Sequence, residues 1–194
     1  MAYAFLGGLG FLIGCALELA PVQRAPGAKP LLWLAVAGLI LSSLAMMALH
    51  GDRFVLPTWT TGVGWGLLLL VSILMLYSML LELPFRRTFV NPGPGPHLVT
   101  TGTYALVRHP TVLWFTLILV SLLLLSRSQS LLMALPLWVA LDVMWVFVQE
   151  RVSLAQAFPH YHRYQQVTPM LIPNLGSLRA CLATLRIPKG GEAG

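Results

Sequence analysis

Five long apolar stretches, separated by short polar segments, dominate this sequence of 194 residues. They cover residues 2–20, 31–49, 62–81, 111–126 and 129–149. Each stretch is close to the roughly 20 residues that an α-helix needs to cross the core of a bilayer. The sequence therefore predicts an all-α membrane protein with five transmembrane helices, of which the fourth is the shortest.

The overall composition supports this prediction. Of the residues, 57% are hydrophobic and only 9% are charged, which lies far outside the usual range for a soluble domain. The first stretch lacks the basic segment of a signal peptide and is as long as a spanning helix, so we interpret it as the first helix. Cys15 and Cys181 are far apart, and one lies in a predicted span, so we expect neither a disulfide nor a metal site.

The lysines and arginines are divided unequally between the two sides of the predicted bundle. Ten of the twelve fall on one side, and only Arg53 and Arg127 fall on the other. Because the bias of lysine and arginine in short loops sets orientation, the amino terminus is predicted outside and the carboxyl terminus in the cytoplasm. Anionic headgroups account for the net charge of +6, so no nucleic acid partner is expected.

Residues 1–194 are predicted to form a single domain. The segments 82–110 and 150–194 would form a cytoplasmic cap, and the short segment "SRSQS" at 126–130 would join the fourth and fifth helices as an antiparallel hairpin. Four leucines in the tail recur at helical spacing with arginines between them, which is typical of a helix in the headgroup region. They are Leu175, Leu178, Leu182 and Leu185.

A cationic segment stands directly before the fourth apolar stretch. Pro110 suits the first position of a helix, where its missing N–H has no cost, and this places His109 near the cap. The free N–H groups and the positive end of such a helix attract a carboxylate or a phosphate, and Arg108 adds a full charge. Arginine and histidine at a membrane boundary also commonly contact headgroups and do nothing else.

An acid is expected beside this anion site. Glu150 ends the fifth stretch on the same side and, through the short hairpin, lies near the start of the fourth. An acid next to an anion site predicts a zwitterionic ligand such as an amino-acid moiety. Nearby aromatic faces attract cations such as a sulfonium, although interfacial tyrosines are usually belt residues. The aromatic residues are Tyr104, Phe158, Tyr161 and Tyr164.

Two segments carry a family resemblance: "HLVTTGTYALVRHP" at 97–110 and "QERVSLAQAFPHYHRYQQVTPMLIP" at 149–173. Together they resemble the membrane methyltransferases related to isoprenylcysteine carboxyl methyltransferase and the phospholipid N-methyltransferases. The resemblance implies a cytoplasm-facing S-adenosylmethionine pocket within 97–173 and a lipid-like acceptor that enters from the membrane. By position, it implies that the cofactor is bound by His97, Leu98, Val99, Tyr104, His109, Pro110, Thr111 and Glu150.

The chain departs from the family pattern at three places. Val112 and Trp114 stand where relatives usually have Tyr and Gly, and an indole there would obstruct a cofactor that approaches the helix. Arg151 follows Glu150 where relatives have paired glutamates. Val146 replaces an arginine that is thought to bind the acceptor carboxylate in the prenylcysteine enzymes, so a prenylcysteine carboxylate is not the expected acceptor.

Asp142 is an ionisable residue inside the fifth predicted span. The spacing puts Asp142, Val146 and Glu150 on one helix face, with Asp142 about 12 Å deeper than Glu150. Burial of a charge in a membrane is costly, so such a residue is a functional hypothesis, although a hydrogen bond to another span would also satisfy it. If Asp142 lines the pocket, an amine or another neutral or cationic acceptor is favoured, and Asp142, His109 or Glu150 would take its proton.

We therefore predict an integral membrane methyltransferase that uses S-adenosylmethionine and acts on a membrane lipid or a small hydrophobic acceptor. The predicted catalytic residues are Arg108, Asp142 and Glu150, with Arg108 binding the cofactor carboxylate or the acceptor headgroup. Two alternatives stay open. One is a cofactor-free relative that serves as a membrane scaffold or a subunit of a complex, which Val112 and Trp114 favour. The other is a membrane reductase of the steroid-reductase type.

Overall fold

The computed structural model describes residues 2–19, 28–82, 98–159 and 161–185. His97, one of the predicted cofactor residues, lies outside these ranges. The long helices are α1 (Ala2–Leu19), α2 (Ala28–Leu49), α3 (Trp59–Leu76), α5 (Pro110–Ser126) and α6 (Gln129–Gln149). The short helices are α4 (Thr103–Leu106), α7 (Ala155–Ala157), α8 (Tyr161–Val167) and α9 (Leu175–Thr184). Two long helices continue as π-helical turns: α3 through Tyr77–Glu82, and α6 through Glu150–Leu154.

Four helical segments are long and apolar enough to cross a membrane. They are Ala2–Leu19, Leu31–Leu49, Trp59–Glu82 and Gln129–Ala157. Helix α5 is apolar but has only 17 residues, which corresponds to a length of about 25 Å. The prediction of an all-α membrane protein is confirmed, and the five long helices match the five apolar stretches. The direction of insertion stays a prediction.

The helices pack in the order α2, α1, α6, α5, α3 around the bundle. The core lies where α1, α2, α5 and α6 meet, and Trp138 is completely buried there. Its indole lies directly against α1, because a Cβ at Gly7 would come within 2.0 Å of the ring. The indole N–H donates to the carbonyl oxygen of Ala4 at 3.0 Å, so the buried polar group is satisfied. Glycine at this position therefore permits the close approach of α1 and α6.

A tight turn joins α5 to α6, as predicted. Arg127 adopts a left-handed conformation with φ 55°, and its N–H donates to the carbonyl of Leu123 at 2.8 Å. Ser128 then caps α6 by accepting a hydrogen bond from the N–H of Leu131 at 3.3 Å. These local bonds reverse the chain within a few residues. As a result, the start of α5 and the end of α6 lie at the same end of the bundle.

The predicted tail helix is present as α9. Asn174 and Ser177 form a capping box at its start, which satisfies free N–H groups of the first turn. Ser177 and Cys181 are buried, and the helix packs on α4. The leucines that the sequence places on the other face are exposed: Leu175, Leu178, Leu182 and Leu185. This apolar face is the one that the sequence assigns to the headgroup region.

Candidate functional site

Arg108 and Glu150 form a bidentate ion pair where α5 begins and α6 ends. The Nε atom of Arg108 lies 2.6 Å from Oε1 of Glu150, and its Nη2 atom lies 3.1 Å from Oε2. Its Nη1 atom donates to the carbonyl oxygens of Gln165 at 3.2 Å and Thr168 at 2.7 Å. The two charged side chains are only 10% and 7% exposed. A forked, shielded pair of this kind is strong and geometrically fixed.

Glu150 is the centre of a larger cluster. Besides Arg108, its carboxylate contacts Nε2 of His109 at 3.0 Å, the hydroxyl of Tyr161 at 2.9 Å and the amide nitrogen of Gln165 at 3.1 Å. A carboxylate offers about four lone-pair positions, so these contacts use all of them. The acid that the sequence predicts beside the anion site is thus held from two sides: by Arg108 and His109 at the start of α5, and by Tyr161 and Gln165 of α8.

The surroundings of Arg108, Tyr161 and Tyr164 shift the pKa values of these side chains. Burial lowers the pKa of Arg108, but the hydrogen bonds to Glu150 and its negative charge outweigh that effect, so the pKa lies above its ordinary value. Burial and the neighbouring Glu150 charge both raise the pKa of Tyr161. Burial also raises the pKa of Tyr164. At neutral pH the cluster therefore combines a guanidinium cation with neutral phenols.

The chain after α6 folds back onto the segment before α5. The backbone N–H of Arg108 donates to the carbonyl of Pro169 at 2.9 Å, and the N–H of His109 donates to that of Met170 at 3.3 Å. The Tyr164 hydroxyl donates to the carbonyl of Tyr104 at 2.5 Å. Pro110 is the first residue of α5 and His109 is its cap residue, as the sequence predicts. The two motifs that carry the resemblance are thus in direct contact.

A second polar network, which sequence reasoning missed, joins α3 to α5. Glu82, at the end of the π-helical turn after α3, accepts the N–H of Thr103 at 2.7 Å and also its hydroxyl. The Thr103 hydroxyl is 2.9 Å from that of Ser78, which accepts the indole N–H of Trp114 at 2.9 Å. The indole of Trp114 therefore points to α3. The only signal in the sequence was an acid at the end of an apolar stretch.

Gly102 makes this network possible. Its φ of 62° and ψ of −131° lie in a region that L-residues rarely adopt, and a Cβ there would come within 1.6 Å of Oε1 of Glu82. Its N–H donates to the hydroxyl of Thr184 in α9 at 2.9 Å. Glycine is thus required both by the backbone and by the carboxylate that lies against it.

Glu18 is a further buried acid that sequence reasoning did not single out. It lies in the last turn of α1 and is only 6% exposed. Its carboxylate accepts the hydroxyl of Ser153 and the amide of Gln149 at 3.5 Å. These bonds fasten the end of α1 to the π-helical turn that begins with Glu150. An ionisable residue near the end of a predicted span was the available signal.

A cavity of about 490 Å³ lies inside the bundle. All five long helices contribute to its wall, and Thr111 lies on the wall two residues after His109. Asp142 is the charged residue among the described side chains of this wall. Four aromatic residues also line the cavity: Phe11, Trp33, Phe115 and Trp145. Trp33 and Trp145 are stacked, with ring centres 5.2 Å apart.

The predicted site residues within the described ranges fall into four groups. Arg108, His109 and Glu150 form the polar cluster, and Pro110 begins the helix behind it. Thr111 and Asp142 lie on the cavity wall. The carbonyl oxygen of Tyr104 accepts a hydrogen bond from the Tyr164 hydroxyl, and burial raises the pKa of the Tyr104 phenol. Leu98 and Val99 are half-buried at the start of the segment that leads to α5.

Trp114, which the sequence suggests as an obstruction, is not part of the cavity wall. It is 8% exposed, and its indole N–H is directed to Ser78. Thr111 and Phe115, on either side of it along α5, are the residues of this helix that line the cavity. At 3.6 residues per turn, the Trp114 side chain is rotated about 60° from that of Thr111 and about 100° from that of Phe115 around α5, on the side of Ser78.

The comparison with known proteins gives one family. The model of the family described as phospholipid methyltransferase matches residues 59–160, which is more than half of the chain. The matched range includes α3, α5 and α6, and with them Arg108, Asp142 and Glu150. No curated protein and no solved structure matches the chain significantly.

Proposed function

Because the chain belongs to the phospholipid methyltransferase family, we propose that it transfers a methyl group from S-adenosylmethionine to a membrane lipid or a small hydrophobic acceptor. One observation carries this proposal. The first turn of α5 lies between the polar cluster and the cavity: His109 contacts Glu150 at 3.0 Å, and Thr111 lines the cavity. A polar donor site and an apolar acceptor site thus meet at one helix start.

The polar cluster suits the amino-acid end of the donor. Its fixed charges are one cation, Arg108, and one anion, Glu150, so it complements a ligand that carries a carboxylate and an ammonium group. The start of α5 adds the positive end of a helix dipole, which favours the carboxylate. Hydrogen bonds to Glu150, Gln165 and Thr168 use four of the five N–H donors of Arg108. One N–H donor is therefore left for the ligand carboxylate.

Glu150 acts mainly through the groups that it holds. Its lone pairs are used by Arg108, His109, Tyr161 and Gln165, so an incoming ammonium group binds it only by replacing one of these donors. Its role is therefore to keep Arg108 and His109 in place at the helix start. A pre-arranged site of this kind lowers the barrier by positioning.

Asp142 supplies the acid–base chemistry on the acceptor side. S-adenosylmethionine, when bound, offers a methyl group on a positively charged sulfur. An acceptor amine would form its bond to this carbon as the carbon–sulfur bond broke, and the sulfur would keep the electron pair as a thioether. The Asp142 carboxylate takes the proton that the nitrogen loses. A carboxylate acceptor is disfavoured, because Asp142 would repel it and Val146 stands in place of the arginine that would bind it.

Calorimetry with purified protein tests the proposal. We expect saturable heat on addition of S-adenosylmethionine, and at least tenfold weaker binding in the Arg108→Gln variant. Arg163→Gln is the matched control, because Arg163 is exposed on α8 and outside the cluster. Absence of heat at millimolar ligand would leave the scaffold alternative, and saturable binding of NADPH instead would favour a reductase.

A further inference from the structure

Helices α1 and α6 run parallel to each other with a constant offset in the sequence. Gly14 lies against the indole of Trp145, and Glu18 bonds to the side-chain amide of Gln149, so both contacts join residues that are 131 positions apart. The contact between glycine and tryptophan near the start of α1 has the same offset. The two helices therefore keep one register from the middle of the bundle to its polar end.

This register brings two acids to the same helix interface. Asp142 lies on the cavity wall together with Phe11, which is 131 positions before it. Glu18 lies seven residues after Phe11 on α1, which corresponds to about 10 Å along the helix, and it is only 6% exposed. Cys15 lies between these two levels, and the charges of Glu18 and Asp142 both act on its thiol. Because burial of an acid in a span is costly, two of them at one interface indicate a functional role.

The cavity reaches to within about one helical turn of Glu18. Trp145 lines the cavity, and its indole lies against Gly14. Glu18 follows Gly14 by four residues, or about 6 Å along α1. Its carboxylate bonds to Ser153 and Gln149, and both of these side chains are partly exposed. Polar groups therefore continue from the end of the cavity to the surface, along the interface of α1 with α6 and the π-helical turn.

The proposed methyl transfer leaves a proton inside the bundle. Asp142 takes this proton from the acceptor amine and has to lose it before the next turnover. Among the described side chains of the cavity wall, Asp142 is the one that can hold the proton. Glu150 is a poor receiver, because four donors occupy its oxygens and a proton there would break the ion pair with Arg108.

We propose that Glu18 receives the proton from Asp142 and releases it to water at the polar end of the bundle. Water molecules between the two carboxylates carry the proton. Asp142 becomes a carboxylate again, Glu18 becomes a neutral acid until it releases the proton, and only O–H bonds form and break. Glu18 lies outside the range 59–160 that the family model matches. The use of this route in turnover rests on the proposed methyl transfer, whereas the route itself does not.

Infrared spectroscopy of the full chain in nanodiscs tests the route without any donor or acceptor. At a pH low enough to protonate Asp142, its carboxylic acid gives a C=O band, which is identified by its loss in the Asp142→Asn variant. Rapid transfer into D₂O shifts this band when the proton is exchanged. We expect exchange to be at least tenfold slower in the Glu18→Gln variant, because the amide keeps the size of the side chain but cannot pass on a proton.

Ser153→Ala is the matched control. It removes a hydrogen bond of Glu18 but keeps the acid, so exchange at Asp142 should stay within twofold of the wild type. If Glu18→Gln does not fold, Glu18→Met replaces it. Equal exchange in the wild type and the Glu18 variant would overturn the proposal. Slowing by Ser153→Ala as large as that by the Glu18 variant would also overturn it, because packing of the π-helical turn would then be the cause.

Methyl transfer to extracted membrane lipids, measured on the same preparations, separates the two proposals. We expect Glu18→Gln to lower turnover at least tenfold at unchanged affinity for S-adenosylmethionine, and azide, a small weak acid, to restore part of it. No methyl transfer by the wild type, together with exchange that depends on Glu18, would overturn the proposed function and leave the proton route in place. Methyl transfer together with exchange and turnover that Glu18→Gln does not change would do the reverse.

Discussion

The guanidinium of Arg108 and the carboxylate of Glu150, 42 residues apart in the chain, are joined by hydrogen bonds of 2.6 and 3.1 Å. The pair fastens the start of α5 to the end of α6. The same carboxylate holds Tyr161 and Gln165 of α8 at 2.9 and 3.1 Å. The chain after α6 is thereby fixed to the polar end of the bundle. Arg108 lies within about one helical turn of Thr111, which lines the cavity.

Glu150→Gln is expected to destabilise the protein. The amide removes the negative charge and leaves the shielded Arg108 cation without its partner, which costs about 3 to 5 kcal/mol when a buried pair is broken. Denaturant unfolding in detergent measures the change in the free energy of unfolding. Arg163→Gln, at an exposed position, should change it by less than about 0.5 kcal/mol. Equal effects of the two substitutions would contradict a structural role for the pair.

Asp142→Asn is expected to separate chemistry from donor binding. The amide keeps the shape of the side chain but cannot take a proton, so methyl transfer should fall by about 100- to 10,000-fold. The affinity for S-adenosylmethionine should stay within twofold, because Asp142 lies on the acceptor side. The measurement is incorporation of labelled methyl into extracted membrane lipids, with Asp52→Asn in an exposed loop as the control. Full activity of Asp142→Asn would exclude Asp142 as the base.

Trp114→Gly is expected to weaken the fold without improving donor binding. The indole is buried and donates to the Ser78 hydroxyl, which also bonds to Leu74 and Thr103, so its loss leaves a void and removes one of the three hydrogen bonds of this hydroxyl, at a cost of about 3 to 5 kcal/mol. Trp114→Phe keeps most of the volume and should cost only about 1 kcal/mol for the lost hydrogen bond. Thermal unfolding and calorimetry measure both properties. A gain in affinity for S-adenosylmethionine in Trp114→Gly would show instead that the indole obstructs the donor.

Gly102→Ala is expected to disturb the segment before α5. The added methyl group meets Glu82 and a backbone conformation that alanine rarely adopts, which costs about 1 to 3 kcal/mol for the backbone alone. Denaturant unfolding measures the loss. Adding Glu82→Ala removes the clash and should restore part of the stability. If the double variant is no more stable than the sum of its single variants predicts, the clash with Glu82 is not the cause.

The apolar stretches, Pro110 and the turn residues at 126–130 were sufficient to predict the helices that position the site. These features act locally, because helix length, a proline at the first position and a short reversal depend on neighbouring residues. The hairpin also predicted that Glu150 would lie near the start of α5. From the sequence, however, Glu150 looked free to bind a ligand, since Tyr161 and Gln165, which share its oxygens with Arg108 and His109, come from α8.

The sequence by itself determined an all-α membrane protein with charged residues where α5 begins and α6 ends. Only the tertiary structure decided which way Trp114 points, that Glu82 and Thr103 bond to each other, and that all five long helices line one cavity together with Asp142. These features depend on the rotation and spacing of helices that are distant in the chain, and the π-helical turns after α3 and α6 alter which face each terminal carboxylate occupies. Hydrophobic periodicity carries no information on such shifts, because the long helices are apolar on every side.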